Sequence, residues 1–299
     1  MSLHRNFVVP HSSASPHRVA AADWFYSAFS ASPRENAFPG FKREKMKHSG
    51  FNFLVLIGLL LGAAALPASA AEVRVAVASN FAAPMERIAT LFKKESGHTL
   101  KINLGSSGKL SAQIRKGEAF DVFLSADEEI PKRLMQEGLA VGGSRFVYAT
   151  GRLVLWSVQP DLVDENGAIL NKGNFTKLAI ANPRFSPYGV AAQETLTKLI
   201  IWNAIQRKLD KGDDLTETYR LAATERADLA FIALSQVMRD GKVREGSWWL
   251  VPSTLHHPIR QSAVLLSGAQ DEVAAKAFLV FLKSTKAVAI MRGFGYELP

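Results

Sequence analysis

From residue 73 onward, short apolar runs alternate with segments whose apolar residues recur every three or four positions. Residues 73–78 (VRVAVA) form the first apolar run, which predicts a buried strand. The next segment has helical spacing, and its apolar positions are Phe81, Met85, Ile88, Leu91 and Phe92. We expect Asn80 to cap this helix, Pro84 to lie in its first turn and Gly97 to end it.

The same alternation continues to the end of the chain and predicts an α/β fold with mainly parallel strands. Further strands are predicted at residues 100–104, 121–124, 153–158, 177–181, 229–233 and 259–266. Further helices are predicted at residues 110–115, 130–138, 191–204, 216–223, 272–282 and 285–294. Short connections between strands and helices are typical of sheets whose faces are covered by helices.

The pattern changes near residue 150, and this change divides the fold into two lobes. The strand at 153–158 leaves the first α/β unit and a second unit follows it. The C-terminal residues from about 255 again have the pattern of the first unit. We therefore expect one lobe at about 71–150 and 255–299, and a second lobe at about 151–254. Two crossing strands would join them.

The first seventy residues have the features of a secretory signal peptide with an extra segment before it. Basic residues at 42–47 precede fourteen apolar residues at 53–66, and Ala68-Ser69-Ala70 suits a cleavage site. Fourteen residues are fewer than the ~20 that span a bilayer, so cleavage is favoured over anchoring. We expect residues 46–70 to be the signal peptide of a periplasmic protein. Residues 1–45 are expected to be disordered or not translated, with translation starting at Met46.

Composition excludes several other classes of protein. The 299 residues include no cysteine, which excludes disulfides, a thiol nucleophile and thiolate metal ligands. The net charge is +9; residues 1–70 carry seven basic and three acidic residues, so +5 remains for residues 71–299. The basic residues are scattered and are not interleaved with aromatic residues, so no nucleic-acid partner is expected.

Two strand-to-helix turns carry the candidate chemistry. Residues 78–81 (ASNF) and 105–109 (GSSGK) place hydroxyl groups beside the free backbone N–H groups at the start of a helix. Such a helix end is a site for anions. The alternative is that Ser79 and Ser107 are only N-caps and that the glycines are only turn residues. Lys109 is expected to be a solvated residue that attracts the anion from a distance.

Six blocks of the chain, in order, resemble the periplasmic molybdate-binding proteins. They are residues 76–81 (AVASNF), 105–110 (GSSGKL), 121–126 (DVFLSA), 181–183 with 187–189 (ANP and PYG), 227–235 (ADLAFIALS) and 258–261 (PIRQ). The resemblance extends from about residue 72 to residue 295. It implies a two-lobed periplasmic-binding-protein fold of type II, with the ligand in the cleft between the lobes.

In that family, serine hydroxyls and backbone amides from both lobes hold the oxyanion. The donors that the resemblance implies here are hydroxyls and amides of Ser79 and Ser107, an amide of Asn80, and backbone N–H groups of Tyr188 and Leu215. Some relatives use a tyrosine hydroxyl where this chain has Ala233, so Ala233 is not included in the site. The resemblance implies no catalytic residue, no cofactor and no metal cation.

Charge favours a fully deprotonated oxyanion as the ligand. No Asp or Glu lies within the two serine turns, whereas a protonated phosphate needs an acceptor for its own P–OH group. Asp213 and Asp214 precede Leu215, and whether they contact the ligand stays open. Sulfate obeys the same hydrogen-bond logic, so only the resemblance favours molybdate or tungstate.

The resemblance also implies an ABC permease and its ATPase at the inner membrane as partners, a monomeric protein, and closure of the lobes over the ligand. The enzyme alternative is an exported serine hydrolase, because Ser106 and Lys109 match the S-x-x-K pattern. Its companion S-D-N and K-T-G motifs are absent from the chain. A metal site at His256-His257 is disfavoured because adjacent side chains point apart. Trp248-Trp249 is expected to pack in a core or between the lobes.

Overall fold

Residues 70–299 are described in the computed structural model of the protein. They contain two five-stranded sheets and one short two-stranded hairpin. Residues 1–45 and the predicted signal peptide at 46–70, apart from Ala70, lie outside the described residues. Within residues 70–299, no helix is both long enough and apolar enough to cross a bilayer.

The first sheet is built mainly from the N-terminal part of the described chain. Its strands are β1 (Glu72–Ala78), β2 (Thr99–Gly105), β3 (Val122–Ser125), β4 (Phe146–Gly151) and β12 (Ile259–Leu265). Their order across the sheet is β2-β1-β3-β12-β4. β1 pairs in parallel with β2 and β3, whereas β12 pairs antiparallel with β3 and β4. Four of the five strands therefore run in one direction.

The second sheet repeats this arrangement with the residues between β4 and β12. Its strands are β5 (Leu153–Ser157), β6 (Leu178–Ala181), β7 (Leu209–Gly212), β8 (Leu229–Ala233) and β11 (Ser247–Leu250). Their order is β11-β5-β8-β6-β7. β6 pairs in parallel with β7 and β8, and β5 pairs antiparallel with β8 and β11. The hairpin consists of β9 (Met238–Arg239) and β10 (Lys242–Val243).

In each sheet, the reversed strand is the one that arrives from the other lobe. β5 follows β4 with only Arg152 between them, and β12 follows β11 after residues 251–258. The chain therefore passes from one sheet to the other twice, which makes two lobes joined by two connections. The predicted fold class, α/β with two lobes of mainly parallel strands, is confirmed.

Helices cover the two sheets. They are α1 (Ala82–Ser96), α2 (Ser107–Arg115), α3 (Glu129–Gln136), α4 (Ile169–Lys172), α5 (Pro187–Lys198), α6 (Leu215–Ala223), α7 (Leu234–Val237), α8 (Glu272–Leu282) and α9 (Thr285–Gly293). Short 3-10 turns lie at Ser79–Phe81, Gln206–Lys208 and Ser253–Leu255.

The start of α1 differs from the prediction. The 3-10 turn at Ser79–Phe81 precedes the helix, and Phe81 rather than Asn80 occupies the N-cap position. The Asn80 side chain is buried, and its Nδ2 group bonds Gln261 and Tyr296 of other elements, so the side chain is placed in that network and not over the start of its own helix. Gly97 ends the helix as predicted, in the left-handed conformation at φ 77°.

Helix α5 begins and ends earlier than the predicted range of 191–204. Its first residue is Pro187, whose fixed φ suits a helix start, and the Ser186 side chain caps the Gly189 N–H. The helix ends at Lys198, and Ile200 beyond it has a positive φ of 62° that a helix cannot continue through. The prediction ran past this turn because apolar residues continue at helical spacing after Lys198.

Each lobe has its own core. On β1, Val75 and Val77 pack into a cluster with α1 and α8, while Ala76 faces a separate cluster on the other side of the sheet. In the second lobe, Trp249 is buried in the core, as expected, whereas Trp248 beside it is 37% exposed. Adjacent residues of a strand point to opposite faces, and β11 is an edge strand of the second sheet.

A buried ion pair fixes the start of β3 against β1. Asp121 Oδ1 lies 2.7 Å from Arg74 Nη2, and the carboxylate also accepts hydrogen bonds from the backbone N–H groups of Arg74 and Gln270. Burial alone would raise the pKa of the Asp121 carboxyl, but these hydrogen bonds and the Arg74 charge outweigh it and lower that pKa. Asp121 therefore serves as a charged structural anchor in the first lobe.

Candidate ligand-binding site

All five predicted site residues lie in the first turn of a helix. Ser79 and Asn80 begin the 3-10 turn that leads into α1, Ser107 is the first residue of α2, Tyr188 the second of α5, and Leu215 the first of α6. Each is less than 5% exposed. The first N–H groups of a helix have no partner inside it and lie at its positive end. The site therefore combines N–H donors at helix starts with a favourable potential for an anion.

Ser79 and Leu215 are in direct contact, although they belong to different lobes. The Leu215 backbone N–H donates a hydrogen bond to Ser79 Oγ over 3.2 Å. Ser79 lies after β1 of the first sheet, and Leu215 lies after β7 of the second. The Ser79 hydroxyl makes no capping bond to its own helix. This geometry favours the ligand-site interpretation of Ser79 over the N-cap interpretation.

Ser107 also has a role other than capping. The N-cap position of α2 belongs to Ser106, and no side chain makes a capping bond there. The Ser107 hydroxyl instead accepts a hydrogen bond of 2.9 Å from the Ala126 backbone N–H, at the end of β3. Gly108 N–H donates to the Phe185 carbonyl of the second lobe over 2.9 Å. The start of α2 therefore contacts the loop that leads into α5.

Tyr188 and Asn80 direct their side chains away from the Ser79–Leu215 contact. The Tyr188 hydroxyl accepts from Gln261 Nε2 over 3.2 Å. Asn80 Nδ2 donates to Gln261 Oε1 over 2.8 Å and to the Tyr296 hydroxyl over 2.9 Å. Asn80 and Tyr188 therefore have only their backbone N–H groups, near the starts of two helices, to offer a ligand. The structure shows no direct hydrogen bond from Ser107 or Tyr188 to the Ser79–Leu215 pair among residues 70–299.

Both carboxylates ahead of Leu215 already have partners. Asp213 Oδ2 lies 2.6 Å from Lys109 Nζ, and this ion pair joins the two lobes. Asp214 Oδ1 accepts the Glu217 backbone N–H over 3.0 Å, so Asp214 caps α6. Lys109 also lies 5.7 Å from the centre of the Phe185 ring. Lys109 is thus a partly exposed helix residue, as expected of a solvated charge, and it is also paired with Asp213, which the sequence did not predict.

The contacts that a serine hydrolase needs are not formed. A lysine base must lie within hydrogen-bond distance of the serine that it activates. Ser106 Oγ is buried and has no hydrogen-bond partner among residues 70–299, and the Lys109 ammonium is paired with Asp213. The S-x-x-K match is therefore not accompanied by a serine–lysine contact.

The two adjacent histidines are engaged with their own surroundings. His256 Nδ1 lies 2.7 Å from the His257 carbonyl oxygen. His257 contacts the Glu194 carboxylate through its backbone N–H and through Nδ1, each over 2.8 Å. Burial alone would raise the pKa of Glu194, but the hydrogen bonds from His257 outweigh it and lower that pKa. The contact between His257 and Glu194 attaches α5 to the connection between β11 and β12.

A cavity of about 580 Å³ lies between the lobes beside the helix starts. Gly108 and Ala126 of the first lobe line it, together with Arg184 and Glu194 of the second. Ser79 and Leu215 do not line this cavity. The contact between these two residues is therefore at a different, more enclosed part of the interface.

The sequence patterns missed three buried polar residues near the helix starts, namely Ser125, Gln261 and Ser235. Ser125 Oγ, like Ser106 Oγ, has no hydrogen-bond partner among residues 70–299. Gln261 and Ser235 bond directly to Asn80. Ser125 is the last residue of β3, and Ser79 directly follows the last residue of β1. This placement at the end of a strand could have indicated Ser125 as a candidate site residue. Gln261 and Ser235 are far from Asn80 in sequence, and no local pattern indicates their contact.

Two α/β lobes joined by two connections, with helix starts from both lobes meeting at a buried interface, define a two-lobed solute-binding protein. Residues 73–297 match the model of the bacterial extracellular solute-binding protein family, and the chain belongs to that family.

Individual relatives agree with this assignment. The chain is 46% identical over 244 residues to the molybdate-binding protein ModA of Azotobacter vinelandii, which covers 82% of this chain and 97% of that relative. It is 46% identical over 240 residues to ModA of Rhodobacter capsulatus, covering 80% of this chain and 93% of the relative. A solved structure, the Azotobacter vinelandii periplasmic molybdate-binding protein, matches with a TM-score of 0.74 and 39% identity. That match covers 76% of this chain and 99% of the solved chain.

Proposed function

We propose that this chain is the periplasmic substrate-binding component of an ABC importer, and that it binds molybdate, or tungstate, between its two lobes. The contact between Ser79 Oγ and Leu215 N carries the proposal, because it brings donors of both lobes together. The choice of molybdate is supported by two relatives that are 46% identical and are named for binding it. The proposed partners are a membrane permease and its ATPase, with the protein acting as a monomer.

The proposed site binds the anion with neutral groups. Ser79 and Ser107 would supply hydroxyl and backbone donors, and Asn80, Tyr188 and Leu215 would supply N–H groups. A buried dianion is tolerable only when its oxygens receive hydrogen bonds. The aligned peptide dipoles at the starts of the helices add a favourable potential without a counter-charge. Such a site suits binding and release rather than catalysis, and we propose no enzymatic activity and no cofactor.

Closure of the lobes follows from where the donors lie. An oxygen that accepts hydrogen bonds from Ser79 and from the Leu215 N–H interacts with both lobes at once. The ligand therefore binds the closed arrangement more tightly than an open one, and ligand binding shifts the population toward closure. The permease would then recognise the closed form.

The partners of the two carboxylates support an oxyanion without protons. A protonated phosphate needs a good acceptor for its P–OH group. Asp213 is paired with Lys109, and Asp214 caps α6, so one oxygen of each carboxylate already has a partner in the protein, which disfavours a second role as the acceptor for a P–OH group. Both molybdate and sulfate are fully deprotonated at neutral pH, and the distinction between them rests on the relatives.

Replacing either serine by alanine is expected to weaken molybdate binding. In each of Ser79→Ala and Ser107→Ala, one hydrogen bond to a charged group is lost, which costs about 1.5–3 kcal/mol, or roughly 10- to 150-fold in Kd. Isothermal titration calorimetry measures the change. Ser96→Ala is the matched control, because its hydroxyl bonds only Phe92 and His98, at the end of α1 opposite to the site. Unchanged molybdate affinity in both variants would refute the assignment of these serines to the site.

A further inference from the structure

A buried network of neutral polar groups lies next to the proposed site and joins the two lobes. Its members are Asn80, Tyr148, Gln261 and Tyr296 of the first lobe, and Tyr188 and Ser235 of the second. Each of them is at most 5% exposed. Buried polar groups of this kind stabilise a unique arrangement only when their hydrogen bonds are made.

Gln261, on β12, is the centre of this network. Its Oε1 accepts from Asn80 Nδ2 over 2.8 Å and from the Tyr148 hydroxyl over 2.9 Å, which occupies both lone pairs. Its Nε2 donates to the Tyr188 hydroxyl over 3.2 Å. Turning the amide over would place its NH₂ group against the Asn80 NH₂ group. In this arrangement the Gln261 acceptor lies toward the first lobe and its donor toward the second.

A second connection reaches the Asn80 backbone directly. The Ser235 hydroxyl donates to the Asn80 carbonyl over 2.7 Å, and the Tyr296 hydroxyl lies 2.9 Å from the same oxygen. Two hydroxyl groups of the second lobe are therefore linked to Asn80 by hydrogen bonds: Ser235 directly, and Tyr188 through Gln261. Asn80 follows Ser79, whose hydroxyl accepts from Leu215.

The network carries no charge. Burial raises the pKa of the Tyr148, Tyr188 and Tyr296 hydroxyls above the ordinary value, so all three keep their protons. The backbone is also close: a methyl group on Gly151, where the chain leaves β4, would overlap the Tyr188 hydroxyl and lie 2.6 Å from Gln261 Nε2. The contact between Gln261 and Tyr188 therefore depends on a glycine at this position.

We propose that Gln261 is a positioning residue for anion binding. When the lobes are closed, and only then, its side chain connects Asn80 to Tyr188 of the second lobe. This inference rests on the proposed function. Because the Gln261–Tyr188 hydrogen bond crosses between the lobes, opening them breaks it. Its loss makes opening easier, so it raises the rate of ligand dissociation and leaves association largely unchanged.

The test uses two variants that leave every proposed donor to the anion in place. Tyr188→Phe removes the hydroxyl and keeps the Tyr188 backbone N–H, and Gln261→Met removes the amide at similar volume. We expect Tyr188→Phe to raise the molybdate Kd about five- to tenfold, the range of an ordinary hydrogen bond, through a faster dissociation rate. Gln261→Met should raise it at least as much, because it also removes the bonds to Asn80 and Tyr148. The double variant should bind about as tightly as Gln261→Met alone, because both changes remove one shared bond. Calorimetry gives Kd, and stopped-flow displacement by tungstate gives the dissociation rate.

Tyr219→Phe is the matched control, because it removes a tyrosine hydroxyl of the second lobe outside the network and should leave both quantities unchanged. If Tyr188→Phe binds and releases molybdate as the wild type does, the proposal is wrong, even if its melting temperature falls. Independent, additive effects of the two substitutions would also overturn it. If Gln261→Met does not fold, Tyr188→Phe alone decides. Failure of the wild-type protein to bind molybdate would instead reject the proposed function itself.

Discussion

Leu215→Pro is expected to reduce molybdate affinity about 100-fold, whereas Leu215→Ala should retain most of it. Proline lacks the N–H group that contacts Ser79 Oγ, and that N–H is one of the two donors proposed from the second lobe. Leu215 is the first residue of α6, the helix position that best tolerates proline. Asp214 before it is already extended, at φ −151° and ψ −175°, as a residue before proline must be.

The alanine variant controls for the lost leucine side chain, which is buried. Both substitutions remove that packing, so both should lower the free energy of unfolding, by about 2–5 kcal/mol for a buried leucine. Only the proline variant also removes the donor. Calorimetry with molybdate, on variants shown by circular dichroism to be folded, separates the two effects. Equal affinities of the proline and alanine variants would exclude the Leu215 N–H from the site.

Gly189→Ala is expected to destabilise the second lobe by about 3 kcal/mol and to weaken molybdate binding at least about tenfold. An added methyl group would overlap the Ala181 carbonyl oxygen and lie 2.8 Å from the Ala181 carbonyl carbon and 2.9 Å from Pro183 N. These are backbone atoms at and just beyond the end of β6, and they cannot rotate away. The start of α5 must move instead, and the Tyr188 N–H moves with it.

Urea unfolding and molybdate calorimetry measure the two parts of this prediction. Gly142→Ala is the control, because no atom lies within 4 Å of a methyl group added there. It should change the free energy of unfolding by less than about 0.5 kcal/mol. A Gly189→Ala protein as stable as this control would show that α5 does not need its close approach to β6.

Sequence patterns predicted the elements whose apolar residues form a continuous run or recur at helical spacing. The bounds predicted for β8 and α8 agree with Leu229–Ala233 and Glu272–Leu282, because their apolar positions are continuous or regularly spaced. By contrast, β4, β7 and β11 of the two five-stranded sheets were missed. All three are edge strands, and the residues of β7 (LDKG) are largely half-exposed. Their strand conformation depends on pairing with a neighbour, which no local pattern shows.

Residue patterns alone predicted the site only one helix start at a time, and Tyr188 and Leu215 of the second lobe came only from the resemblance. The serine-containing turns at Ser79 and Ser107 indicated free donors at helix ends, and the structure places both there. The sequence could not show that Leu215, 136 positions away, would meet Ser79. It also suggested Asn80 as an N-cap, because a cap and a buried hydrogen-bond partner require the same residue type. Long-range contacts decide between these roles.

The measurement that tests the central claim most directly is a calorimetric titration of the purified protein with molybdate, tungstate, sulfate and phosphate under the same conditions. We predict one molybdate ion bound per chain, with tungstate competing for the same site. Sulfate and phosphate should bind at least about tenfold more weakly, a difference of about 1.4 kcal/mol. Absence of molybdate binding, or binding of sulfate or phosphate as tight as that of molybdate, would contradict the proposed function.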